Sequence, residues 1–351
     1  MEKWRAFAMG MLCLALLALT SGSAMPNFSG ASGWLNVAAP LSPADLRGKV
    51  VLVDFWEYSC INCLRTLPYL REWYKRYADD GFVIVGVHTP EFGFTGEKRN
   101  VEAAARRLGI TWPIALDDDY AIWKRYGTKE WPTELLFDQS GALVESTTGE
   151  GAYPQTEATI QRLLRKSKPQ LVLPPVMALL PQDNYLKPGA VCYPQTPEIL
   201  IENSPVANPN RFGDVSRDLD YIDRAATHAD GRIYLDGYWH ATKQALVFGG
   251  GNGYMSLSYH AIQVNVVMLP KDGVSRVRVT EDGKPVPRED AGADLRYDAD
   301  GSSYVNVDAP RAYDLLMNQT FGERELRLYP DREGVGIYDF AFESCEVPKA
   351  K

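Results

Sequence analysis

Residues 51–70 read VLVDFWEYSCINCLRTLPYL, and their reading decides how the first half of the chain folds. Val51 to Trp56 is a short apolar run, the pattern of a strand buried on both faces, while Leu64, Leu67, Leu70 and Tyr74 recur at helical spacing. Cys60 and Cys63 stand between the two. Cys60 falls where the strand ends and the helix begins, so unpaired N–H groups and the helix dipole are expected to stabilise its thiolate. Cys63, one turn on, is expected to be shielded and placed to resolve a mixed disulfide. A structural zinc site would need four ligands, usually two such pairs or one pair with clustered histidines; this chain has one C-x-x-C and four scattered histidines. A structural disulfide three residues wide closes a tiny loop and stabilises little. Position favours a redox pair.

Outward from that stretch, FVIVGVH (82–88) reads as a second buried strand and NVEAAARRLG (100–109) as a helix ending at Gly109. WPIAL (112–116), a short helix around DDDYAIWKRYG (117–127), strands at TELLFD (133–138) and ALVESTTG (142–149), and a helix over about 156–166 follow. The pattern predicts a βαβ arrangement with a largely parallel sheet. The proline-rich segment 169–183 reads as an extended linker lying against one domain. Beyond it the period becomes two. Ile262, Val264, Val266 and Met268 alternate with Gln263 and Asn265, and five Asp-Gly pairs, at Asp230, Asp236, Asp272, Asp282 and Asp300, punctuate the strands as hairpin turns. The second domain is therefore expected to be an all-β sandwich, over 184–348.

With 351 residues, 45% of them apolar, the chain has enough core for two domains. A net charge of −8 and the lack of a basic cluster argue against a nucleic-acid partner. At the N-terminus, Lys3 and Arg5 precede an apolar run from Ala6 to Leu19 and small residues to Ala24, the layout of a secretory signal peptide over 1–24. An uncleaved anchor is the alternative, although the run is short for a membrane span. The mature chain would be exported, periplasmic or extracytoplasmic, with Cys60, Cys63, Cys192 and Cys345 in a compartment that tolerates disulfides. Cys192 and Cys345 bracket the β-domain, and a structural disulfide between them is expected.

The motifs VLVDFWEYSCINC and WPTELLFD, with Pro68 in the helix, resemble the thioredoxin superfamily. Within it, FWEYSCINCLRTLPYL, GVHTPEF and ALDDDYAIW resemble the TlpA-like branch, and specifically the exported region of DipZ-type proteins, over about 28–168. YLDGYWHATKQALVFGGG and SYHAIQVNVVM resemble, more weakly, the carbohydrate-binding-module-like sandwich that follows in those proteins. The resemblance implies an α/β thioredoxin-like domain followed by an all-β sandwich domain, and a thiol-disulfide oxidoreductase, leaning to reductase, that acts on protein disulfides. It makes Cys60 the attacking cysteine, Cys63 the resolving one and Pro132 the cis-proline that leaves the Trp131 backbone free for an extended substrate peptide. Asp54 matches the thioredoxin carboxylate that serves the resolving thiol, and Glu91 the acidic residue TlpA-like reductases use beside their disulfide. Having both leaves the proton acceptor ambiguous. Trp56 is expected to wall Cys60, and both Trp56 and Trp131 to contact substrate. The redox-active Cys60–Cys63 disulfide implies no further cofactor and no metal, and electrons would come from a separate membrane donor.

Other residues have two readings. Tyr58 and Ser59 either contact substrate or fill the loop. His88 reads as a core histidine, GGGNG (249–253) as a turn, and Trp239, His240, Tyr254 and Tyr259 as sheet aromatics or as a sugar platform that would bind a glycan. A binding module, with the β-domain docking a glycan or protein and the thioredoxin domain as scaffold, is the alternative to an enzyme. A peroxidase is disfavoured, because no Pro-x-x-x-Thr/Ser-x-x pattern precedes Cys60.

Overall fold

The computed structural model describes residues 24–181, 183–203 and 218–347. The expected signal segment up to residue 23 lies outside them. The first domain runs β1 (Gly33–Leu35), β2 (Val50–Trp56), α1 (Ile61–Tyr77), β3 (Phe82–His88), α2 (Lys98–Arg107), β4 (Ile114–Leu116), α3 (Ala121–Tyr126), β5 (Thr133–Phe137), β6 (Leu143–Thr148) and α4 (Tyr153–Ser167). Its six-stranded sheet has the order β1-β4-β3-β2-β5-β6. Every residue of β2 is buried, because helices cover the sheet on both faces, which is why the run 51–56 carries no polar alternation. The sheet is mixed and not largely parallel: β2, β3 and β4 run parallel, while β1, β5 and β6 are antiparallel to their neighbours. The tight turn around Gly141, between β5 and β6, leaves no room for a crossover helix and so forces an antiparallel pair.

The linker packs on this domain through its backbone. Arg76 and Gln161 donate to the carbonyls of Pro175 and Pro174, the buried Glu157 accepts from the Met177 N–H, and the Tyr69 hydroxyl accepts from the Leu180 N–H. Proline has no N–H to satisfy, so this extended run needs few acceptors from its surroundings, and its carbonyls take the donors of Arg76 and Gln161.

The second region contains β7 (Val191–Cys192), β8 (Ile199–Leu200), β9 (Asp218–Tyr221), β10 (Ile233–Ala241), β11 (Leu246–Phe248), β12 (Tyr254–Leu269), β13 (Ser275–Glu281), β14 (Lys284–Pro285), β15 (Leu295–Tyr297), β16 (Ser303–Val307), β17 (Arg311–Pro330), β18 (Gly336–Glu343) and β19 (Cys345–Glu346). It is all-β and antiparallel, but its layers share strands. β12 pairs with β10 through Tyr254–Leu257 and with β18 through Gln263–Leu269, so one eleven-stranded sheet wraps a single core. Four of the five Asp-Gly pairs lie at turns; Asp236-Gly237 instead lies inside β10, where that strand changes partner and Gly237 takes a φ of +82°. A backbone atom would meet a Cβ there at 2.3 Å, so only glycine fits.

The outward face of β12 is not open to solvent. Val264, Val266 and Met268 fill the β-domain core, while Val267 and Leu269 pack into the core of the first domain. Tyr338 of β18 meets Phe92 and Phe94 edge-on at 5.4 and 4.7 Å, and Gly93 donates to Gln244. Arg65 of α1 ties the joint, donating to Gln263 at 2.7 Å and pairing with Glu343 and, at 3.1 Å, with Glu150.

Candidate active site

The register of the sheet collects the site at one end. β2 ends at Trp56, opposite His88 at the end of β3, and Phe55 opposes Thr133, so Pro132 and the segment after His88 leave the sheet beside the 57–60 loop. That loop turns into α1, whose N-cap is Cys60. Cys60 is half-buried and Cys63 fully buried; both are free, with sulfurs 2.7 Å apart. The Cys63 N–H points at Cys60 Sγ, 3.3 Å away.

The rest of the helix start is already occupied. Glu57 is buried and turns its carboxylate back into the loop, where Oε2 accepts from the Ser59 N–H at 2.7 Å, the Ser59 hydroxyl at 2.5 Å and the Cys60 N–H at 3.0 Å. Its Oε1 lies 3.6 Å from His88 Nε2. Glu57 is thus the residue that pattern reading missed. Its only signal is an acid three residues before the first cysteine, where a short loop lets a side chain cap its own downstream N–H groups. The helix start does not act alone on the Cys60 thiol. Hydrogen bonding from Cys63 pulls it down, but burial and the charges of Glu57 and Glu91 leave it above the ordinary value. Cys63 lies higher still, raised by burial, by its hydrogen bond to Cys60 and by the Cys60 charge.

The two carboxylates act on different members of the pair. Asp54 is buried in the middle of β2, opposite Gly86 and Glu134, and neither of its oxygens has a hydrogen-bond partner among the described residues. Burial raises it to about 7, and its charge acts on Cys63. Glu91 is half-buried and raised to about 8 by burial and by Glu57, Glu198 and Glu202; its charge acts on Cys60. The Trp131–Pro132 peptide bond is cis. Trp131 packs on Trp123 at 4.5 Å, and no backbone hydrogen bond among the described residues uses its amide or carbonyl.

Trp56 is buried against His88 at 5.2 Å and joins the core that holds Cys63; it is not exposed to a substrate. Tyr58 and Ser59 are also buried, with Tyr58 donating to the Phe94 carbonyl, so both fill the loop. His88 stacks on Tyr58 at 5.5 Å in the core. The four aromatics of the β-domain form no platform, because Trp239 and Tyr259 are core residues, Trp239 donating to the Asp236 carbonyl and Tyr259 to Glu281. Cys192 and Cys345, register partners of β7 and β19, form a disulfide. No group of three or more metal-ligating side chains occurs among the described residues, and no helix there is long and apolar enough to cross a membrane.

Two family models match the chain: one described as Redoxin over residues 20–164, and one described as thioredoxin like C-terminal domain over residues 201–342. Thiol-disulfide oxidoreductase ResA of Geobacillus thermodenitrificans is 35% identical over 125 residues, 36% of this chain and 67% of that protein. Protein DipZ of Mycobacterium tuberculosis is 38% identical over 269 residues, which cover 76% of this chain and 38% of that protein. The chain therefore spans well under half the length of DipZ. These likenesses, with a free C-x-x-C at a strand-to-helix turn, define a thioredoxin-type fold and dithiol site. The chain belongs to the thioredoxin superfamily, and its first domain is of the TlpA-like, DipZ type.

Proposed function

We propose that the protein is an exported reductase of protein disulfides that uses the Cys60–Cys63 pair as its redox centre without a bound cofactor. The observation that carries this is the free thiol pair at the N-cap of α1, 2.7 Å sulfur to sulfur, beside two carboxylates raised into the neutral range. The Cys60 thiolate attacks one sulfur of the target disulfide. A bond from Cys60 to that sulfur forms, and the other target sulfur leaves as a thiolate and takes up a proton. Cys63 then loses its proton to Asp54 and attacks Cys60 Sγ. The Cys60–Cys63 disulfide closes, the second target sulfur leaves and is protonated, and two electrons and two protons have passed from the dithiol to the target. A membrane dithiol donor returns the pair to its reduced form.

The direction follows from what holds the thiolate. A strongly oxidising pair owes its potential to a reduced form stabilised by a low-pKa thiolate. Here Glu57 occupies the Cys60 N–H and adds a negative charge, so that stabilisation is weak. Equilibration with glutathione tests this reading: a potential near the thioredoxin figure of about −270 mV supports a reductase, and one near the DsbA figure of about −120 mV contradicts it.

A further inference from the structure

The joint between the domains is incomplete beside the cysteine pair. Between the Arg65 tie and the packed Val267, a groove of about 440 Å³ opens next to Ile61, the residue that follows Cys60. Two buried side-chain amides line it. Asn265 is 2% exposed, and neither Oδ1 nor Nδ2 has a partner among the described residues; Asn318, 3% exposed, donates to the Tyr259 hydroxyl and leaves Oδ1 unpaired. Buried polar groups in folded proteins almost always find a partner. The Asn318 amide turns to the core residue Tyr259, whereas Asn265 keeps both a donor and an acceptor unpaired and calls for a ligand offering both.

The strands are bent to make this wall. The β12–β17 register passes from Gln263 opposite Met317 to Ala261 opposite Gly322, so residues 318–321 face Ile262 alone. A bulge of this kind re-aims side chains and is favoured next to active sites. The floor is apolar, formed by Ile61, Ile262 and Met317, the last 38% exposed. The acids Asp314, Glu343 and Glu346 outnumber the single base Arg65, which disfavours an acidic occupant.

We propose that this groove seats the extended segment next to the disulfide of a substrate protein. A peptide unit of that segment, which offers one donor and one acceptor, pairs with the Asn265 amide, and a neighbouring apolar side chain rests on Ile61, Ile262 and Met317. The occupant is a neutral or basic extended peptide, continuous with the reacting sulfur because Ile61 belongs to both sites. Ile61 follows Cys60 in the chain and lines the groove, which sets the groove next to the reacting sulfur; the inference rests on the thiol-disulfide reading above and makes the β-domain a specificity element of the reaction.

The test uses the full chain, reduced beforehand, and compares its second-order oxidation by two disulfides. One is a symmetrical disulfide of eight-residue peptides carrying leucine and lysine near the cysteine; the other is hydroxyethyl disulfide, too small to reach the groove. Asn265→Leu should lower the peptide-to-small rate ratio about fivefold, the worth of one net hydrogen bond, and Met317→Lys, which removes part of the apolar floor and repels the peptide's lysine, should lower it too. Replacing the peptide's lysine by glutamate should lower it as well. Ratios equal to wild type in both variants mean that the groove holds only water and overturn the inference. Met317 is exposed, so its variant decides the matter should Asn265→Leu not fold. Reaction of the wild-type dithiol with neither disulfide would instead sink the thiol-disulfide reading itself.

Discussion

The chain holds two cysteine pairs whose circumstances are opposite. Cys192 and Cys345 are 153 residues apart, sit near the surface, and are bonded across the β7–β19 ladder. Cys60 and Cys63 are three residues apart, sit largely inside, and are free. Exposure is therefore not what separates a redox pair from a structural one. The long pair closes a large loop, so its bond constrains the unfolded chain strongly; the short pair constrains almost nothing, and its sulfurs can exchange without unfolding anything. Their neighbours differ too. Charges of Glu57, Glu91 and Asp54 act on the short pair.

Cys60→Ser should abolish reduction of hydroxyethyl disulfide while leaving the melting temperature near wild type, as measured by dithiol-coupled turnover and calorimetry. On the structural side, the double variant Cys192→Ala/Cys345→Ala should lose stability by up to roughly 5 kcal/mol in denaturant titration, the chain-entropy figure for a loop this long, yet keep its turnover. A double variant that folds as tightly as wild type would mean that the β-domain is held by packing alone.

Asp54 sharpens the account through pH. Its folded value of about 7 lies above the ordinary 3.8, so the folded state holds the proton more tightly, and stability is lost as pH rises from about 4 through 7. Asp54→Asn should therefore stabilise the protein at pH 9, by at most about 4 kcal/mol, and change nothing at pH 3. The same substitution should slow release of a mixed disulfide by Cys63. Equal melting shifts at both pH values would place the carboxylate outside this account.

The smallest effect concerns Glu57. Glu57→Gln keeps an acceptor for the Cys60 N–H but removes the charge, so the Cys60 thiol should titrate lower. The pH dependence of alkylation of the reduced protein reads this directly, and a shift upward would contradict the assigned cause.

Much of this site was legible before any geometry. The C-x-x-C, Asp54, Glu91 and Pro132 are fixed by local pattern and resemblance, and β2, α1 and β3 are long periodic segments whose burial writes itself into the sequence. Glu57 was not legible, since its role depends on a loop that folds its side chain back on Ser59 and Cys60. The outward face of β12 misled for another reason. Alternation reports that a residue lies off the local core, and it cannot distinguish water from a second domain, so Gln263 and Asn265 read as solvent-facing although they stand at the joint. Trp239 and Tyr259 kept two readings open, since an aromatic on a strand fits a core or a binding platform, and both lie in the core.

Trapping tests the division of labour between Cys60 and Cys63 most directly. The Cys63→Ala protein, reduced and mixed with a disulfide-linked peptide, should accumulate a mixed disulfide whose peptide map places the adduct on Cys60, whereas the Cys60→Ala protein should accumulate none. An adduct on Cys63 in the Cys60→Ala protein, formed as fast as that on Cys60, would contradict the assignment of Cys60 as the attacking thiol.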